Sequence, residues 1–323
     1  MGFLFDVIGP LFTLIGCGFI LGRRRKIDTG PLADVAMYIC LPFLLFSTLV
    51  RHPVTGLAAA QIFAWQAGMY LASIPAIWLV ARLAGWDKPT RSAVTLSLPT
   101  VNVASYGVPV VLFALGDEAL AIIMLLFVYG NIFASSLGVY IAAGGRQSPL
   151  QAFKSIFKLP LIYTTALAIS INVLAIPIPE SLLDTADLIG KAGPILAIIL
   201  LGIQVSHIEL RGNNSAALYG GISAKILIGP VLGIGLTLAI GAEGTIRDVL
   251  LICSCLPTAI NALILTVRFD ARPDLLGGIL IDIQITQGIE RWIIVHRIDR
   301  HQDRTSDCCV ITSGTQNTIK PSV

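Results

Sequence analysis

Apolar runs of about 18 to 25 residues recur along the chain, separated by short charged or polar stretches. Each run is long enough to cross a hydrocarbon layer of about 30 Å as a helix. Ten runs can be drawn, roughly 3–22, 34–50, 60–83, 92–115, 118–142, 158–177, 187–206, 215–240, 248–267 and 274–295. The last is the weakest. The pattern predicts an all-α integral membrane protein of ten transmembrane helices. Two runs break their own pattern. The fourth holds Leu-Pro-Thr-Val-Asn at 98–102 and the ninth holds Leu-Pro-Thr-Ala-Ile-Asn at 256–261, so proline and polar residues stand where lipid would favour neither.

Composition agrees with the pattern. Of 323 residues, 55% are hydrophobic and 13% charged, with mean hydropathy +0.83. Soluble domains carry about 25% charged residues. Nucleic-acid binding has no basic domain to rest on. The six cysteines form no disulfide or zinc framework: Cys17, Cys40, Cys253 and Cys255 sit in apolar runs, and Cys308 and Cys309 are adjacent in a polar tail. The positive charges follow the first apolar run, so it does not read as a cleavable leader.

Charge in the loops predicts orientation. Arg23, Arg24, Arg25, Lys26, Arg82, Lys88, Arg91, Arg146, Lys154, Lys158, Arg211, Arg268 and Arg272 fall in one set of loops. Only Arg51, Lys191 and Arg247 fall in the other. The richer set belongs in the cytoplasm, which puts the N-terminus outside a plasma (inner) membrane.

The halves echo each other. Pro42 and Pro194 are 152 residues apart, Arg91 and Arg247 are 156 apart, and the two Leu-Pro-Thr elements are 158 apart. A duplicated five-helix unit follows, and five is odd, so the second copy is inverted. Residues 1–157 form the first repeat and 158–295 the second, with 296–323 as a polar tail. Matched interruptions in two halves point to a midplane binding site. Proline frees backbone carbonyls, and in lipid these are tolerated only inside protein or beside a wet cavity. A half-helix starting there aims unsatisfied N–H groups at the cavity.

The candidate binding residues are Thr100, Asn102, Ser105, Thr258, Asn261 and Lys225, and Pro99, Gly107, Pro109 and Pro257 mark the breaks. Neutral donors of this kind suit a carboxylate. No acid lies mid-span before the tenth run, which argues against a metal or organic-cation carrier. Lys225 is costly within a span, and either attracts the anion or ties carbonyls together. Gly130-Asn131 reads as a polar pair bonding across helices. No catalytic triad, zinc-protease pair or phosphate-cradling fingerprint can be placed, so no enzyme activity, cofactor or metal is expected.

These elements also resemble a known family. The stretch Asn102–Pro109, with Gly107, is similar to the Asn-x-x-x-x-Gly-x-Pro element of the auxin efflux carrier family of transporters. Residues 224–233 resemble its eighth helix, and 256–278 its ninth helix and the loop after it. In plant members proline directly precedes the asparagine, whereas here Val101 does. The resemblance implies two inverted five-helix repeats. Helices one and two of each repeat would form a scaffold, often dimeric. Helices three to five would form a moving transport unit. Helices four and nine would break and cross at the substrate. The short link at about 143–157 favours a bacterial permease of small organic anions such as malate or malonate, or auxin-like acids. A proton or sodium ion would be the coupling ion. Rival expectations are a bile-acid-type sodium symporter, a sodium/proton antiporter-like carrier, and a membrane receptor or sensor for organic acids.

From about Asp282 the character changes. Residues 282–323 hold ten charges against 31 in the preceding 281 residues, and no periodicity replaces the lost apolar run. A shifted reading frame near codon 282, or a divergent end, is expected. With a native tail, Asp282 would be a proton-coupling acid.

Overall fold

The computed structural model describes residues 2–25, 27–54, 56–144, 160–206, 216–280 and 282–283. The link at 145–159 and the tail beyond 283 lie outside the described residues, and so do the expectations placed on them. The described chain is helical throughout and contains no strand. In order the helices are α1 (Gly2–Arg24), α2 (Gly30–Arg51), α3 (Gly56–Ala84), α4 (Lys88–Ser97), α5 (Val103–Leu115) and α6 (Asp117–Ala142). Then come α7 (Pro160–Val173), α8 (Glu180–Ser206), α9 (Ala216–Ala239), α10 (Gly244–Ser254), α11 (Ile260–Phe269) and α12 (273–280). The helices α2, α3, α6, α8 and α9 are each long and apolar enough to cross a membrane, and α5, α7 and α11 are shorter apolar helices.

Local chemistry sets the ends. Asp87 caps α4 by accepting from the Thr90 backbone N–H at 3.0 Å, with Pro89 in the first turn. Gly116, at φ +80°, makes the tight turn between α5 and α6. Helices α2, α5, α6 and α9 each contain one π-helical turn, at Ala36–Cys40, Val103–Gly107, Ala134–Gly138 and Ala224–Ile228. Single prolines at 75 and 194 leave α3 and α8 continuous.

The helices pack in two groups. In one, α8 lies against α1 and α2, and α2 against α7. Small residues allow that close approach. A methyl group on Gly202 would stand 2.2 Å from the Ile15 carbonyl oxygen, and one on Gly190 would stand 2.5 Å from the Leu44 Cα. In the other group α3, α5 and α10 pack on α6, and α9 packs on α3 and α10. Helices α4 and α12 join through Val94, Leu96, Leu276 and Ile279. Helix α3 runs antiparallel to α9. Gln61 and Trp65, near the start of α3, donate to carbonyls at 233–241 near the end of α9, while Trp86 beyond the end of α3 meets Gly220 near the start of α9. Many apolar side chains face outward, among them Leu83, Leu188, Val231 and Leu238. That outward apolar surface fits a lipid solvent.

The seventh expected run, 187–206, starts too late. Helix α8 begins at Glu180 because its first turns are polar. Glu180, Asp184 and Asp187 gather around Arg51 at the end of α2, and Lys191 pairs with Asp187 at 2.7 Å.

Candidate binding site at the helix break

Helix α4 stops at Ser97, and α5 starts again at Val103. Helix α10 stops at Ser254, and α11 starts at Ile260. The two gaps meet. Val101 and Thr258 form an isolated antiparallel backbone bridge. The Asn102 N–H donates to the Pro257 carbonyl at 2.8 Å, and the Ala259 N–H donates to the Thr100 carbonyl at 2.8 Å. The backbone groups left open between the half-helices are thus paired across the crossing.

The carbonyls at the end of α4 are satisfied one after another by partners distant in the sequence. Ser97 O accepts from Thr258 Oγ1 at 2.9 Å, Leu98 O from Lys225 Nζ at 3.0 Å, and Pro99 O from Gln66 Nε2 at 3.3 Å. Thr100 O accepts from Ala259, as above. Three elements, the α10–α11 gap, α9 and α3, thus supply donors to four consecutive acceptors. An unpaired carbonyl here would cost about 1–3 kcal/mol. Lys225 thus places its side-chain amine at the C-terminal end of α4.

Beyond the crossing lies a cavity of ≈ 150 Å³. The starts of α5 and α11 both reach it, through Asn102–Ser105 and Ala259–Asn261. Pro99 and Thr100 add to the wall, and Gln66, Asn131 and Leu201 come from α3, α6 and α8. No acidic or basic side chain lines it among the described residues. Asn102 is the N-cap of α5: its Oδ1 accepts from the Ser105 N–H at 3.2 Å, which leaves its amide nitrogen as the donor. Asn261 Nδ2 reaches Asn131 Oδ1 at 3.4 Å, and Asn131 Nδ2 donates to the Phe127 carbonyl at 2.8 Å. Tyr70 and Thr100 share a hydroxyl–hydroxyl bond of 3.2 Å behind the wall.

The candidate residues therefore separate. Thr100, Asn102, Ser105, Asn261 and Pro99 line the cavity. Thr258 and Lys225 do not: both are fully buried and serve the crossing. Pro257 is at the break, through its carbonyl. Gly107 and Pro109 are not: Gly107 closes the first π-helical turn of α5, and Pro109 follows in the continuing helix. A methyl group on Gly107 would stand 2.9 Å from the ends of Ile123 and Leu256, which would have to shift to admit it. Asp282 lies in a short helical stretch at the limit of the described residues. Gln66 joins the cavity wall without belonging to either Leu-Pro-Thr element. Its signal was an uncharged amide within an apolar run, one residue after Trp65.

Comparison with known proteins points to membrane transport. The family of membrane transport proteins matches residues 146–283. A transporter of Methanothermobacter thermautotrophicus, uncharacterised, is 24% identical over 282 residues, covering 84% of this chain and 91% of its own length. An uncharacterised transporter of Methanocaldococcus jannaschii is 23% identical over 282 residues, covering 82% and 89%. The family match and the two relatives support an auxin-efflux-carrier-type membrane transporter.

Proposed function

We propose that this chain is a secondary carrier of small organic anions that works by alternating access. One observation carries the reading: two helix N-termini meet at one largely apolar cavity that holds a few amides and hydroxyls and, among the described residues, no formal charge. Such a cavity attracts a carboxylate through N–H groups and partial dipoles without holding it irreversibly. The Asn102 amide nitrogen would donate to one carboxylate oxygen. The start of α11 would serve a second oxygen from the opposite side.

The ten-span, twice-five arrangement belongs to this proposal. The α4/α5 and α10/α11 pairs correspond as broken fourth and ninth spans, and the antiparallel α3 and α9 correspond as third and eighth. The group α1, α2, α7 and α8 would be the scaffold, and the face by which two copies pair. The remaining helices would carry the cavity across the bilayer. Leu201 and Ala197 of α8 line the cavity together with residues of the other group, so sliding between groups would open and close it. Lys225 and Thr258 would keep the crossing rigid during that motion.

Purified protein in liposomes tests the proposal. Uptake of labelled malate, malonate, succinate or indole acetate above empty liposomes is expected for at least one acid. Imposed proton and sodium gradients separate the two coupling ions. Specific binding without uptake would favour a sensor and overturn the carrier reading.

A further inference from the structure

Gln66 is fully buried in α3 and lines the cavity, and its Oε1 is a buried side-chain oxygen with no hydrogen-bond partner among the described residues. The orientation of the amide is not free. Its Nε2 faces the Pro99 carbonyl at 3.3 Å, and turning the amide over would set two oxygens against each other. The Pro99 carbonyl is in turn fixed by the helix break. Oε1 is therefore held as an acceptor beside a site whose other offerings are mostly donors: the Asn102 amide nitrogen and two helix N-termini. A plain carboxylate brings only acceptors. It satisfies the donors and leaves Oε1 bare. A hydroxyl two bonds from a carboxyl carbon brings both, since its O–H can donate to Oε1 while the carboxylate takes the N–H groups.

We infer that Gln66 is a specificity-determining residue that accepts a hydrogen bond from the substrate, so that the site takes 2-hydroxy acids in preference to the same acids without the hydroxyl. The inference rests on the carboxylate reading of the cavity. A buried acceptor left unpaired by the wrong ligand is a stronger discriminator than a missing methylene. One neutral hydrogen bond gained is worth about tenfold in affinity.

The test compares dissociation constants of purified protein for malate, succinate and methylsuccinate. Methylsuccinate carries a substituent without a donor. Malate is expected to bind about tenfold tighter than either of the others. In Gln66→Met, similar in length and without the amide, the ratio of malate to succinate affinity should fall to about one, whatever the lost Pro99 contact costs both acids alike. Gln66→Leu is the second variant, should the first fold poorly, and the wild-type comparison stands without either. Equal binding of malate and succinate by the wild type overturns the inference alone. So does a hydroxyl preference that survives in Gln66→Met. Binding of no acid at all overturns the carboxylate reading and this inference with it.

Discussion

Thr258→Val removes one hydroxyl and almost nothing else. Thr258 is fully buried, and its Oγ1 donates to the Ser97 carbonyl at 2.9 Å across the helix crossing. That carbonyl is at the end of α4, where the i+4 position is Val101 and the helix has already stopped. Valine fills the same space and offers no donor. The carbonyl is left buried and unpaired, at a cost of about 1–3 kcal/mol. Thr266→Val is the matched control. Thr266 is equally buried, but its hydroxyl donates to Leu263 within its own helix at 2.8 Å. A carbonyl inside α11 keeps its backbone partner when that hydroxyl goes. Unfolding of both variants in the same detergent, followed by heat or denaturant, reads the difference. Thr258→Val should be less stable than Thr266→Val by about 1–3 kcal/mol. Equal stability would refute the idea that side chains from the crossing partner sustain the break.

Three further outcomes follow from the same physics. Gly190→Ala should lower stability by about 1–3 kcal/mol, because its methyl would meet the α2 backbone at Leu44; an unchanged melting midpoint would show that α8 and α2 are not so tightly apposed. Asp87→Ala should cost about 1 kcal/mol through the lost cap of α4, read by the same melts. The Asp87 carboxyl is held below its ordinary pKa by Thr90, first through its side chain and then its backbone N–H, so its stabilisation is fully present above about pH 4 and fades as pH falls through the lowered value. Stability measured at pH 6 and pH 3.5 should therefore differ less in Asp87→Asn than in the parent.

Much of the site could be read from the sequence because proline in lipid has few uses. The two Leu-Pro-Thr elements are breaks, and they do meet. Asn102 and Asn261 follow them by the spacing that opens a new helix, so they arrive at the same cavity. The directions of Thr258 and Lys225 could not be read. Thr258 lies inside a non-helical gap whose side chains follow no period. Lys225 lies inside a π-helical turn that offsets its face from the 3.6-residue pattern. The start of α8 was hidden for another reason. Glu180, Asp184 and Asp187 look like a loop until Arg51, more than a hundred residues earlier, is placed beside them. Gln66 was hidden because a lone amide in an apolar run usually bonds a neighbouring helix, and only the fixed Pro99 carbonyl reveals which of its two ends is spare.

The central claim is that the crossed half-helices hold a carboxylate by neutral donors. Asn102→Asp tests it most directly. Aspartate matches asparagine in shape and is as good an N-cap, so Oδ1 can still accept from the Ser105 N–H and α5 can still start. It replaces the amide donor by a negative charge. Purified parent protein should be stabilised by one of the small carboxylates, by about 2.7 kcal/mol at a hundredfold excess over its dissociation constant. Asn102→Asp should melt as cooperatively as the parent and show no such stabilisation by that acid. An Asn102→Asp protein that still gains the full stabilisation would contradict the claim and move the anion elsewhere in the fold.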